Sequence, residues 1–496
     1  MLNNWDLLIL NPILIVFSLI SIFFMLVKEK SSFKTKLIYL EIFAFWFGVG
    51  LIIGVITNYL QPNGIFKKSL PFAILLFFGI NFMAIIFKPL ATFITGKIKN
   101  RRLWFWIANI TMLLSIIFLV INLKILDQIN YLLLYLTLIL TGFSLSANTI
   151  HYLIVNEQTY YRLNPIGSTI TVCVVMLFGN YLASYLVSFS DLFYNKKIET
   201  IAIIIAIIMV SCSLGLSFIK KENKNLVGNF SIEIRNELGQ FKIIYLVYLS
   251  FFTFMIMIIS EISGGIFLEE YLKLLLLSNK QNSSSQTFLY LRIIRISHYI
   301  PQILLGYWIY RYIVPQIGYK YHFMTSLLVI SISLSIICFT KIPLLILIFQ
   351  FIITLAIAQV FYGLFALSVM WNYRAVNIPV TGIVGSAGIL AIYICDGVFK
   401  TLQNNHAGIF NYDNSISSLM INPQIDALKN TYSDVWNVVI ASMVGLSLLM
   451  ILMFYFTIDK VLNNYKNINE ANLTMKTLER KSLINKLEQR IVKKGE

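Results

Sequence analysis

Apolar runs of roughly twenty residues recur along the whole chain, and this pattern restricts the fold more than any other feature of the sequence. At 1.5 Å rise per residue, a helix of that length crosses a hydrocarbon core of about 30 Å. Soluble domains carry about 25% charged residues. This chain carries 12%, against 58% hydrophobic, which leaves too little charge to cover the surface of 496 residues in water. The fold class read from the sequence is therefore all-α and polytopic in a membrane, because a helix satisfies its own backbone groups where no water can.

The runs fall at 7–27, 37–60, 69–95, 103–122, 128–155, 164–192, 197–219, 242–272, 285–313, 319–340, 342–372, 379–403 and 433–458, thirteen segments in all. The first has no cation ahead of it and no small-residue cleavage site behind it, so it reads as a retained helix and not as a signal peptide. Cations then orient the map. With the N-terminus outside, the inner connections are 28–36, 96–102, 156–163, 220–241, 314–318, 373–378 and the tail from 459. They hold Lys28, Lys30, Lys34, Lys36, the cations of 97–102, Lys220, Lys221, Lys224, Arg235, Arg374 and a basic tail. The outer set is sparser: Lys67, Lys68, Lys124, Lys196, Lys197, Lys273, Lys280, Lys341 and Lys429. The expected location is the cell membrane, with the N-terminus outside and the C-terminus cytoplasmic.

A net charge of +17 is thereby explained by topology and by anionic lipid head groups, and no basic stretch has the context of a nucleic-acid module. Cys173, Cys212, Cys338 and Cys395 all lie inside apolar runs without short pairings, so neither zinc nor a disulfide framework is expected. No P-loop, zinc-protease helix or nucleophile elbow occurs, so an enzyme is not expected, and no cofactor or metal is called for.

The charged stretch 220–241 divides the spans into six before it (37–219) and six after it (242–458), with 1–36 as an extra helix plus basic linker. Equal halves are what a duplicated transporter shows. The tail 459–496 places Leu473, Leu483, Leu487 and Ile491 among Lys476, Arg480, Lys481, Lys486, Arg490 and Lys493, a basic amphipathic helix suited to the inner membrane surface.

Between the second and third core segments the chain reads TGKIKNRRLWFW at 95–106, with Lys97, Lys99, Arg101 and Arg102 close together. Between the eighth and ninth it reads LLGYWIYRYIVPQIGYKY at 304–321, with Gly306, Arg311, Gly318 and Lys320 in the same order. Twelve spans in two halves with these loops resemble the major facilitator superfamily. Its signature there runs glycine, three variable residues, aspartate, a cation, a second glycine and further cations. Lys97 and Arg101 match the cations and Arg102 extends them, whereas Thr92, Gly96 and Lys99 depart from the glycine, the aspartate and the second glycine. In the second loop Tyr310 holds the acid's position. The resemblance covers about residues 37–458. It implies a 6+6 helix core around a central site, and loops that latch the cytoplasmic helix ends across the halves. With the aspartate absent, Glu157 is the partner available to Arg101 or Arg102. The alternative is that these cations only fix topology.

Ionisable groups inside a span are costly and so are functional candidates. In 285–313, Arg292, Arg295, His298, Tyr299 and Gln302 share one arc of a helix whose other face is Ile and Leu. Arg295 would lie roughly 15 Å deep, Glu261 roughly 16 Å and Asp396 roughly 10 Å, level with Arg292. Two functional readings stand. Arg292 and Arg295 would bind an anionic solute bidentately, or Glu261 or Asp396 would take and release a proton or cation beside an arginine. A permanent ion pair is the structural alternative, and Asp396 and Lys400 are spaced to satisfy each other. Glu41, one turn into the first core segment, reads as meeting water. Asn81, Asn109, Asn148 and Asn180 read as interhelical hydrogen-bonders, and His151 is a lesser candidate. Organic-phosphate carriers of the resembled family use one arginine from each half, and the first half here has no deep arginine.

The function expected is a secondary transporter of a small solute by alternating access. Arg292, Arg295, Glu261, Asp396, His298 and Gln302 would sit at the solute or coupling-ion site, and Lys97, Arg101, Arg102, Glu157, Gly306 and Arg311 at the cytoplasmic gate. The expected partners are membrane lipids, the solute and a proton or cation, not nucleic acid, and the expected state is a monomer. The alternative function is a lipid-handling or otherwise non-transporting membrane protein that keeps the fold.

Overall fold

The computed structural model describes residues 4–60, 79–125, 130–219 apart from 161, 163 and 194–195, 222–279 apart from 231, 284–462 apart from 405 and 414, and isolated tail positions. The amphipathic helix expected in the tail and the start of the segment expected at 69–95 lie outside the described residues, as do Lys67, Lys68, Lys220, Lys221 and Lys280.

Among the described residues all regular structure is helical. A π-turn at Asp6–Leu10 leads into α1 (Asn11–Lys28). The first group of core helices is α2 (Phe33–Leu60), α3 (Ile80–Ile98), α4 (Arg101–Val120), α5 (Tyr131–Leu145) continued by α6 (Ala147–Thr159), α7 (Pro165–Phe193) and α8 (Lys196–Ile219). A connection carrying the short α9 (Ile232–Leu238) leads to the second group. That group is α10 (Ile243–Gly264) continued by α11 (Ile266–Ser278), then α12 (Ser284–Ser297) continued by α13 (Tyr307–Tyr312), α14 (Val314–Phe339) and α15 (Pro343–Asn372). It ends with α16 (Val380–Asn404), the short α17 (Ile416–Met420) and α18 (Ile425–Leu462). Eleven of these rods are long and apolar enough to cross a membrane. The two others are α3, which begins beside the undescribed 61–78, and the arginine-bearing α12–α13 rod.

Packing repeats between the groups. In the first, α2 lies against α7 and α8, α4 against α5 and α8, and α3 against α5. In the second, α10 lies against α16, α11 against α18, α14 against α15 and α18, and α12 against α15. Each pair has its counterpart six spans later, the internal symmetry of a duplicated bundle. The groups meet along two seams, α3 on α16 and α7 on the α12–α13 rod. The extra helix α1 lies in the second seam, touching both α7 and the turn before α13.

Three segments expected as single helices are interrupted. Residues 128–155 break at Ser146, 242–272 at Gly265, and 285–313 at His298–Tyr299. Gly265 is extended (φ −89°, ψ −155°), which no helix accommodates. In the third, Pro301 has no N–H to give to the carbonyl four residues back, so the preceding turn loosens and a π-turn follows at Gln302–Gly306. Non-helical backbone at membrane depth is tolerated where protein buries it or a cavity meets it.

Candidate functional site

The basic stretch is hardly a loop. Helix α3 ends at Ile98, Lys99 turns the chain in the left-handed region (φ 56°), and Asn100 caps α4 by accepting the N–H of Leu103 at 3.2 Å. Arg101 and Arg102 are therefore the first residues of a helix, 1% and 3% exposed. They do not face lipid head groups, as cations that only fix topology would. Two cations at a helix N-terminus oppose its dipole, and three acids answer them. Glu157 accepts from Arg101 Nε (3.3 Å) and Nη2 (3.1 Å). Glu41 accepts from Arg102 Nη1 (3.1 Å) and Nη2 (3.2 Å). Glu222, from the connection between the groups, accepts the backbone N–H of Arg101 (2.8 Å) and Arg102 (3.2 Å). Burial pushes the Glu222 carboxyl up to about 7, helped by the charge of Glu157 and opposed by those two N–H bonds. Gly96, at the position of the missing aspartate, leaves room for Arg101, since a Cβ there would come within 3.3 Å of the guanidinium.

This corrects two expectations. Glu41 is buried against Arg102 and does not meet water. Both arginine pairs lie within the first group of helices, so they bind that group together and do not latch it to the second. Lys97 stays exposed, with Nζ 6.0 Å from the Phe93 ring.

The contacts that do join the groups at this end come from elsewhere. Tyr373 Oη donates to Asn156 Oδ1 (2.8 Å), and the Phe230 N–H donates to the Tyr373 carbonyl (2.9 Å). Arg162 stacks over the Phe230 ring at 4.7 Å. Tyr310, in the second acid position, donates to Asn164 Oδ1 at 3.0 Å. Glu29, just past α1, accepts from Tyr160 (3.2 Å) in the first group and Tyr307 (2.6 Å) in the second, with Arg311 at 4.0 Å. Arg311 is otherwise largely exposed. Gly306 gives its carbonyl to Gln359 Nε2 at 3.2 Å.

The interruptions in α10–α11 and α12–α13 meet one another. Gly264 ends α10, and His298 Nε2 donates to its carbonyl at 2.7 Å. Only glycine fits, because a Cβ at 264 would lie 2.5 Å from His298 Cε1 and 2.6 Å from Gln350 Nε2. Gln302 donates to the His298 carbonyl (2.9 Å) and accepts from Tyr362 Oη (3.0 Å). Gln350 Oε1 is buried there without a hydrogen-bond partner among the described residues.

The arginines pair differently from the expected matching by depth. Arg292 donates to Asp6 through Nε (2.6 Å) and Nη2 (2.9 Å), so its acid comes from the extra helix, and neither Glu261 nor Asp396 fills that role. Arg295 pairs with Glu269 of α11 (3.1 Å) and is half exposed. Both line a cavity of about 20 Å³, room for a single water, shared with Asn11, Tyr181, Ser184 and Tyr299 at the α1 seam. Asp396 pairs with Lys400 at 2.7 Å. Glu261 shares the electrostatic neighbourhood of Asp396 and Lys400, so it is a lysine and not an arginine that stands beside these carboxylates.

Sequence reasoning passed over Asp6, Glu29, Glu222 and Glu269, all outside or at the ends of the apolar runs. It also passed over Lys88, 4% exposed in the middle of α3, whose ammonium makes no hydrogen bond or ion pair to any described residue. The signal was present, as a lysine before a proline inside an apolar run (FKPL, 87–90).

No protein-family model and no curated protein matches the sequence. Solved structures do match. The major facilitator proton:xylose symporter XylE, bound to 6-bromo-6-deoxy-D-glucose, matches 89% of this chain with 98% of its own, at TM-score 0.58 and 14% identity. The human organic anion transporter TETRAN matches 83% with 98% of its own, at 0.54 and 13%. A bacterial homologue of the iron transporter ferroportin, outward-facing with soaked iron, matches 83% with 99% of its own, at 0.51 and 11%. At such identities the likeness is one of fold.

Proposed function

From the major facilitator fold of this multi-pass membrane chain, we propose that it is a secondary transporter. A small solute would cross the cell membrane by alternating access between the groups 37–219 and 242–458. The N-terminus would be outside and the C-terminus cytoplasmic. The observation that carries the reading is the meeting of two interrupted rods at mid-depth, where Gly264, His298 and Gln302 bring backbone carbonyls and polar side chains together. Discontinuous helices of this kind supply solute and ion sites in transporters. The structural neighbours, a sugar symporter, an organic anion transporter and an iron transporter homologue, support transport as the general activity.

We infer coupling to a proton or cation from the charged neighbours of Glu261. Glu261 and Asp396 share one cation, Lys400, so a proton or cation taken up at Glu261 would offset the second carboxylate. The lipid-handling alternative needs a lateral opening. One seam is covered by α1, where Ser21 Oγ accepts from Trp308 Nε1 at 3.2 Å. At the other, Gly382 of α16 packs against the Lys88 carbonyl and Pro89. In this structure both seams are occupied, so a standing lateral opening is not seen among the described residues, which supports the transporter.

Proteoliposomes containing the full chain test this with labelled sugars, organic anions and divalent metal, under imposed proton and sodium gradients. We expect gradient-driven uptake of one class. Glu261→Gln is expected to abolish gradient-driven uptake and to spare solute exchange at equal ion concentrations. A chain that carries no probe in either assay is not a transporter, and uptake that still follows the gradient in Glu261→Gln removes the coupling role.

A further inference from the structure

We propose that Lys88 is a binding site for a small anion, a carboxylate or phosphate group, at the contact between the two groups of helices. The inference rests on the transport reading for the identity of that anion as the solute.

Lys88 lies ten residues before the end of α3, roughly 15 Å from it and so near the middle of a core of about 30 Å. The helix is locally distorted there. Pro89 cannot bond the Ile85 carbonyl, and Ser386 of α16 donates to that carbonyl at 2.6 Å. Gly382 brings the α16 backbone against Lys88, since a Cβ at 382 would stand 2.7 Å from both the Lys88 carbonyl and Pro89 Cα. The lysine stem then runs over Gly385, with its Cδ 3.6 Å from where a Cβ would be, beside Thr149 of α6 and Phe365 of α15. Two helices of each group converge on this side chain, and the Tyr152–Phe365 ring pair (4.6 Å) closes the adjoining space.

An ammonium at this depth costs several kcal/mol unless something offsets it. The buried arginines have their answer within the chain, Arg101 with Glu157, Arg102 with Glu41, and Arg374 with the Leu238 carbonyl and the Trp371 ring, and the partly buried Arg292 has Asp6. Lys88 has none among the described residues. The missing counter-charge comes from outside the chain, and it reaches Lys88 when α3 and α16 separate. Opening that contact would admit an anionic solute, and closing it would hold the solute's charge against a cation in a water-poor setting.

Thermal unfolding of the purified full chain tests the site directly. Succinate, glutamate, glucose 6-phosphate and inorganic phosphate are compared at constant ionic strength and up to tens of millimolar, with xylose as the neutral control. At least one anion is expected to raise the midpoint of the native chain and of Lys88→Arg. In Lys88→Met the half-saturating concentration should rise at least about 30-fold, the effect of removing one partner of a buried charge pair. Lys88→Gln carries the same reading if Lys88→Met does not fold. An anion effect that survives in both neutral variants overturns the proposal. So does stabilisation by xylose alone, or by no probe, because a cation lacking a counter-ion accepts small anions of several kinds. An anion that binds through Lys88 but is not taken up into proteoliposomes leaves the site standing and removes transport. Uptake that persists without Lys88-dependent binding does the reverse.

Discussion

Replacing Glu157 by Gln removes a charge and little volume from the interior of the first helix group. The Arg101 guanidinium is held by both oxygens of Glu157, by the Thr92 carbonyl (3.0 Å) and by Thr95 Oγ1 (2.9 Å), and both partners are almost completely buried. In Glu157→Gln the neutral bonds survive, but a buried guanidinium loses its counter-charge, a loss of about 3–5 kcal/mol. Arg101→Met leaves the opposite charge stranded beside Glu222 and should cost about as much. Removing both charges in Arg101→Met/Glu157→Gln should bring stability back to within about 1–2 kcal/mol of the native chain, because neither partner of the pair is left charged alone. Titration of purified protein from mild micelles into sodium dodecyl sulfate, followed by tryptophan fluorescence, measures all four corners of this cycle. Since Arg101 and Glu157 belong to the same group of helices, the ties between groups at Tyr373 and Tyr310 should survive each substitution. A Glu157→Gln chain as stable as the native one would refute the reasoning, as would a double variant whose loss equals the sum of the single losses.

Three further outcomes are expected. Glu222 has a carboxyl raised from 4.5 to about 7 in the folded chain, so its contribution to stability is fully present below pH 4.5 and is lost as pH rises through 7; up to about 3 kcal/mol is involved. Midpoints measured at successive pH values should show this fall in the native chain, and a flatter profile in Glu222→Gln. Asp6→Asn strands Arg292 against α1 and should cost about 3 kcal/mol or more, with accelerated proteolysis of the N-terminal helix as the second readout and partial recovery in Asp6→Asn/Arg292→Gln. Gly264→Ala drives a methyl into His298 and Gln350. It should cost about 1–3 kcal/mol and lower solute affinity, whereas Ala at Gly445, where nothing lies within reach, should do neither.

The apolar runs alone determined the class and the number of rods, because a hydrocarbon core admits few alternatives to a self-bonded helix of about twenty residues, and the charged stretch 220–241 marked off an extra helix ahead of a paired core. The basic stretch at 97–102 was legible as a special element, and Glu157 as a partner available to its arginines. Sequence distance hid the rest. Arg292 meets Asp6, 286 residues away, and Glu29 reaches Tyr160 and Tyr307, because α1 folds back into the seam between the groups. A reading of charge by depth assumes continuous helices, and it failed where Gly265 and Pro301 interrupt them and turn His298 and Gln302 toward new partners. Burial likewise depends on neighbours that composition cannot place. Arg101 and Arg102 look like loop cations until α4 begins at Arg101, and Lys88 looks like one lysine among many until packing buries it against α16 with no acid beside it among the described residues. Local sequence set where helices form; which charges are paired, and which one waits for a partner, was decided by how the two groups close on each other.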